Sequence, residues 1–234
     1  TNPNFLNKSK GVDAKILSVA RKISADAGKK IVLLSDDAYF GLFFEKDVCR
    51  ESLFAKACDL SENILAVKCD AVTKEEMAWG FRVAFITYGF KGCDDVTLDA
   101  LMQKTLGALR GSLSSCTMPG QQIILKAMTD PNYHADKNAG IADICARYTQ
   151  MKKALTKYAS KDCLKALPFN SGYFMCVKPK GVDAEELRQK LTKDYSTGTI
   201  MLSGLIRLAF SAVPTEKLAK LFDNIYKAVK ELQK

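Results

Sequence analysis

Histidine is nearly absent from this chain: His134 is the single one in 234 residues. A lone imidazole removes the usual parts of His-rich metal centres and of His-based catalytic triads, so a metal-free site is expected. Cysteine is present eight times, but what is lacking is metal-type spacing. The closest pair, Cys49 and Cys58, lies nine residues apart, and neither CxxC nor CxxxC occurs. Several of the cysteines sit inside apolar runs such as ILAVKC and GYFMCV, where a thiol acts as a small hydrophobe in a reducing compartment. No run approaches the ~18 consecutive apolar residues that a membrane span requires, and TNPNFLNKSK at the start lacks an apolar signal core. A cytoplasmic protein without a membrane partner is expected. The chain opens on Thr1 rather than Met, which leaves both processing and truncation of the N-terminus open.

What is present is ordinary globular composition, 47% hydrophobic and 26% charged, with Gly 14 and Pro 6. At ~100–200 residues per domain the length allows one large or two modest domains. The net charge of +9 comes from 35 basic and 26 acidic residues. The lysines recur at spaced helix-surface positions (Lys152, Lys153, Lys157, Lys217, Lys220, Lys227, Lys230), with no nucleic-acid-binding signature beside them. They read as a solvated face, and no nucleic-acid partner is expected.

Periodicity organises the chain as an α/β protein. Val12, Ile16, Val19 and Ile23 share one helical face, Gly28 supplies a stop, and IVLLSDD follows as a strand. A short helix is expected over 51–58, and ILAVKCD (64–70) and FRVAFITYG (81–89) read as two more strands. Only residues 71–80 connect these two, fewer than a parallel crossover needs, which predicts an antiparallel pair in a mixed sheet. Lys74 and Arg82 then face one site beside the end of strand 31–35. Helices follow at 96–111, 120–129 and about 138–160, the last with a stripe of Ile141, Ile144, Cys145, Tyr148, Met151, Leu155 and Tyr158. The loop TDPNYHADKN (129–138), with His134 exposed in it, marks a boundary between residues 1–135 and a compact α+β domain over 136–234. Within that domain 172–177 and 205–212 read as strands, 183–193 as a helix, and a final helix follows Pro214.

Polar residues at the ends of apolar strands are where open α/β sheets bind ligands, which singles out Asp36, Tyr39, Lys74, Arg82 and Arg207. Singly each has a bland reading as a turn residue or surface charge. Their order is more telling: DDAYFG, then a strand ending in TK, then WGFRV with its arginine eight residues after the lysine, then SGLIRLAFSAVP. This series resembles the later, C-terminal portion of fold-type I pyridoxal-phosphate aminotransferases of class I/II, over nearly the whole chain.

The resemblance implies a mixed, mostly parallel sheet forming an incomplete large domain (1–135) and a small C-terminal α+β domain (136–234). It implies pyridoxal 5'-phosphate as cofactor, amino acid and 2-oxo acid as substrates, and a homodimer. Lys74 matches the lysine that forms the internal Schiff base and moves protons. Asp36 rather than Asp37 matches the carboxylate on the pyridine nitrogen, since Tyr39 stands three residues after Asp36 in the DxxY spacing. Tyr39 matches the phenol on the ring hydroxyl, Arg82 the arginine on the phosphate, and Arg207 the arginine on the substrate α-carboxylate. Ala71 stands where the family commonly has a serine, leaving Thr73 as a differently placed hydroxyl. Glu75 and Glu76, so near an anionic cofactor, are expected to point outward. The family's upstream phosphate loop, ring-stacking aromatic and NPTG-type segment have no counterpart, and TNPNF is not that segment in full. GSLSSC (111–116) resembles the stretch entering the interdomain region, and Phe169, Asn170, Ser171 and Gly172 the segment near the substrate mouth. A lyase of the same fold, acting for example on a C–S bond, shares these cofactor residues. A truncated non-catalytic member is the other alternative.

Overall fold

The computed structural model describes residues 12–27, 29–158 and 163–234, which form two compact units, one ending at Lys137 and one running from Asn138 to Lys234. The Gly28 stop, the TNPNF start, residues 159–160 and the side chain of Val12 lie outside the described residues.

In the first unit, β1 (Ile31–Asp36) lies parallel to β2 (Ile64–Ala71), and β2 lies antiparallel to β3 (Ala84–Gly89). The sheet is mixed, as the short connection predicts, with β2 in the middle. Ile64, Ala66 and Val67 of β2 are buried. The start of β3 moves three residues downstream of the expected one because Arg82 takes a left-handed φ of 53°, which extended pairing does not accommodate.

α1 (Val12–Ala27) forms as expected, and Ile16 of the expected face packs partly buried on the core, but the buried stripe lies beside that face. Val19 and Ile23 are 57% and 51% exposed, whereas Asp13, Leu17, Ala20 and Ser24 are buried. Leu17 packs with Leu53, Ala57 and Ala66 from α2 (Leu53–Cys58) and β2. The small residues Ala20 and Ser24 share that face, and the Ser24 hydroxyl lies 3.0 Å from that of Ser61. Asp13 is tied to Lys56 at 2.7 Å, which makes its burial tolerable. A stripe of small and paired polar side chains thus beats the more apolar stripe beside it.

One helical turn, α3 (Val72–Glu75), follows β2. After β3 the chain is helical: α4 (Asp95–Ser112), α5 (Met118–Met128) and α6 (Tyr133–Thr156). α6 begins five residues before the expected start, so the loop shrinks to 129–132. Asp130 accepts from the Asn132 N–H there at 2.8 Å, and His134, though exposed, sits in the helix's first turn rather than in a loop. Ile144, Tyr148, Met151 and Tyr158 of the expected stripe are buried.

The second unit has an antiparallel sheet in the order β4-β5-β7-β6: β4 (Leu164–Ala166), β5 (Met175–Pro179), β6 (Ile200–Leu202) and β7 (Leu205–Leu208). β4 and β6 are three-residue strands without a periodic pattern, and the reading of the sequence leaves them out. The expected strand 205–212 ends early, in a 3₁₀ turn at Phe210–Ala212. α7 (Ala184–Tyr195) is capped by Asp183, and α8 (Leu218–Leu232) buries Leu218, Phe222, Ile225, Ala228 and Val229. Among the described residues no helix is long and apolar enough to cross a membrane.

The α1 result is directly testable by urea unfolding. Leu17→Ala is expected to cost ~2–3 kcal/mol and Val19→Ala less than ~0.5 kcal/mol. The reverse order would put the wrong face in the core.

Candidate active site

The central position of β2 decides where the polar residues go. Register pairs Asp36 at the end of β1 with Cys69 of β2, and Ala71 at the end of β2 with Ala84 at the start of β3. The turn after β1, α3 after β2 and the bend before β3 therefore emerge at one rim, carrying Asp36 and Tyr39, Thr73 and Lys74, and Arg82. Lys74 is half-buried, and its Nζ sits over the Tyr39 ring, 4.9 Å from the centroid. Arg82 is exposed, and Thr73 is buried. Val72, Ala78, Val83 and Ile124 form a small apolar core, with Phe81 packed on it.

The two aspartates of DDAYFG separate clearly. Asp37 accepts from Ser35 Oγ at 2.8 Å and from Ser52 Oγ at 2.5 Å, so its carboxylate is spent on holding the turn to the start of α2. Asp36 is exposed and accepts the Ala38 N–H at 3.2 Å, leaving the rest of its carboxylate facing outward. The rim is acidic. Burial pushes the Cys69 thiol up, and the charges of Asp36, Asp70 and Asp37 push it further. Lys68 offsets part of that charge by pairing with Asp70 at 2.9 Å.

Glu75 and Glu76 do not point outward. The Glu76 side chain is 11% exposed and that of Glu75 33%, and both face Lys137, one turn into α6. The expectation fails because it weighed only the cofactor's charge, whereas an ammonium 61 positions away reaches Glu76 at 2.6 Å. These residues, with Tyr133, were not legible as part of the site, since no local pattern joins KEE to YHADK.

In the second unit, Arg207 lies on β7 opposite Cys176 of β5 and Ile200 of β6. Its guanidinium carbon lies over the Phe174 ring, 3.8 Å from the centroid, a cation–π contact. Phe174 is a second residue the sequence reading passed over, its only signal being the two-residue offset from Cys176 that puts it on the same sheet face as Arg207.

A family model matches the chain over residues 17–225: aminotransferase class I and II. The chain belongs to that family. None of the curated proteins matches it. Among solved structures, this aminotransferase-family chain is similar to an aminotransferase from Anaerococcus prevotii, with 20% identity, a TM-score of 0.77, and 100% of this chain against 55% of that one covered. It is also similar to the alpha-aminoadipate aminotransferase of Thermus thermophilus, solved with N-(5'-phosphopyridoxyl)-L-leucine, at 19% identity, TM-score 0.70, and 92% against 54% coverage. An aspartate aminotransferase double mutant from the same organism gives 17% identity, TM-score 0.72, and 97% against 55% coverage. At such identities the likeness establishes the fold. The chain spans about half the length of these structures, in keeping with a portion of the family's chain.

The double use of Ser52, which caps α2 by accepting the Phe54 N–H at 3.1 Å and also holds Asp37, gives a stability test. Ser52→Ala should cost about 1 kcal/mol in urea unfolding. No loss would mean that Asp37 is not fixed by this contact.

Proposed function

We propose that this chain carries the cofactor lysine of an enzyme that moves an amino group between an amino acid and a 2-oxo acid, with pyridoxal 5'-phosphate bound at the rim of the β1-β2-β3 sheet. The observation that carries the reading is the Lys74 amine seated over the Tyr39 ring at the strand ends of a chain in the aminotransferase family.

The donor set suits the group chemically: a carboxylate for a protonated pyridine nitrogen, a phenol for the ring hydroxyl, an amine for the aldehyde, and a guanidinium for the phosphate. Asp36, Tyr39, Lys74 and Arg82 take these places, with Thr73 as a further hydroxyl next to the lysine. When bound, the group supplies an aldehyde that captures an amino group and a ring that withdraws electrons from the substrate's Cα. Lys74 must be neutral to attack a carbonyl, and once free it takes the Cα proton and returns it elsewhere, which is general acid–base work. Tyr39, against that amine, orients it. Asp36, free of the structural work done by Asp37, keeps a positive charge on the ring nitrogen. Arg207, lying over the Phe174 ring, grips the substrate α-carboxylate through two parallel hydrogen bonds.

A homodimer belongs to this reading, as does a cytoplasmic setting. Large apolar side chains stand exposed on the first unit, among them Val32 at 65%, Leu34 at 59% and Phe85 at 54%, an extent that favours cover in the working protein. The lyase alternative uses the same cofactor residues and differs in outcome: it releases ammonia and a 2-oxo acid without an amino acceptor.

Borohydride reduction of the full chain loaded with pyridoxal phosphate, followed by peptide mapping, should place the pyridoxyl group on Lys74, and Lys74→Ala should lose it. Label spread over many lysines, or absent from Lys74, would reject the assignment. Arg207→Leu should leave that label in place while raising the KM for the amino donor more than about tenfold.

A further inference from the structure

We propose that Glu75, Glu76 and Lys137 form a charged clamp that positions Lys74 against the turn carrying Tyr39. This deepens the reading of Lys74 as the cofactor lysine and rests on it.

The need for a clamp follows from the size of α3. A helix of four residues, Val72–Glu75, has almost no hydrogen-bonded length of its own and cannot persist without tertiary ties. On one side it is held by Val72, whose N–H donates to the Val83 carbonyl at 3.2 Å and whose side chain packs on Ala78, Val83 and Ile124. Its exit is demanding: Met77 takes a φ of 53°, a left-handed conformation costly for a side chain of that size. Something has to hold the other side.

Glu76 occupies that side. One carboxylate oxygen takes the Lys137 ammonium at 2.6 Å and the other accepts from the Tyr133 hydroxyl at 2.6 Å. Tyr133 and Lys137 stand one turn apart at the start of α6, so a single carboxylate is gripped from one helical turn. The same ammonium lies 3.6 Å from Glu75 Oε1. That oxygen in turn lies beside the open side of Gly41, 3.3 Å from where a Cβ there would stand. Gly41 has a φ of +89° and belongs to the turn in which the Leu42 N–H reaches back to the Tyr39 carbonyl at 3.4 Å. Lys137 therefore links α6 to both glutamates, and Glu75 wedges between that ammonium and the Tyr39 turn. Lys74, one residue before Glu75, is set over Tyr39 as a result.

The two glutamates do unequal work. Burial raises the pKa of Glu75, with the Lys137 charge opposing it and Glu76 and Asp70 adding to it. Burial works against the Lys137 charge, but the hydrogen bond to Glu76 and the charges of Glu76 and Glu75 outweigh it, and its pKa rises. Glu76 is the strut and Glu75 the spacer.

The test is amide hydrogen exchange on the full chain, together with borohydride labelling by pyridoxal phosphate. In Glu76→Gln and Lys137→Met the amides of Glu76, Met77 and Ala78 should exchange at least about tenfold faster, while those of β5 and β7 keep their rates. The charge-reversed pair Glu76→Lys with Lys137→Glu should bring exchange back to within about threefold, as should Lys137→Arg, which guards against a single variant that fails to fold. The share of label on Lys74 should fall several-fold in the single variants and recover in the pair. Unchanged exchange in the single variants overturns the clamp. Faster exchange with an undiminished share on Lys74 overturns its positioning role. Wild-type protein that never labels Lys74, yet whose turn loosens in Glu76→Gln, supports the clamp and places the failure in the cofactor reading.

Discussion

The pairing of β2 on both of its edges is the constraint from which the rest of the first unit follows. Parallel to β1, it brings the ends of both strands to the same side; antiparallel to β3, it brings the start of that strand there too. Three separate loops then open on one rim, each with its own functional group. Backbone hydrogen bonds in register leave little freedom in where those loops begin, so the placement of Asp36, Lys74 and Arg82 is a property of the sheet rather than of the loops.

Around that frame, charged groups are sorted by what they touch. Asp37 and Asp36 are adjacent in sequence and opposite in use, one tied to two serine hydroxyls and the other exposed at the strand end. Glu75 and Glu76 are withdrawn from solvent, and Asp70 is paired with Lys68. A rim this acidic keeps its shape because its carboxylates are either hydrogen-bonded or matched by an ammonium, which is the condition for holding charge away from water. Lys74 and Tyr39 are left facing each other in the middle.

Much of this was legible beforehand. The strand cores, the antiparallel return from β2 to β3, the stripe of α6 and the final helix all follow from apolar periodicity and from the shortness of 71–80. Asp36, Tyr39, Lys74 and Arg82 were singled out by their order along the chain, and the register brings their loops to one rim, while their roles are proposed ones. What failed did so for stated reasons. The α1 face was misjudged because Ala20, Ser24 and a paired Asp13 permit closer packing than Val19 and Ile23, and periodicity weighs apolarity, not size. β4 and β6 are too short to leave a pattern.

By itself, the sequence determined most of the strand and helix segments, and which residue types stand at the strand ends, since both depend on local periodicity and spacing. Only the tertiary structure decided that Glu76 meets Lys137 and Tyr133, that Glu75 lies beside Gly41, and that Arg207 lies on Phe174. Contacts between residues distant along the chain, or across neighbouring strands, are set by how the elements pack. Charge and shape complementarity of that kind carries no period a single sequence can show.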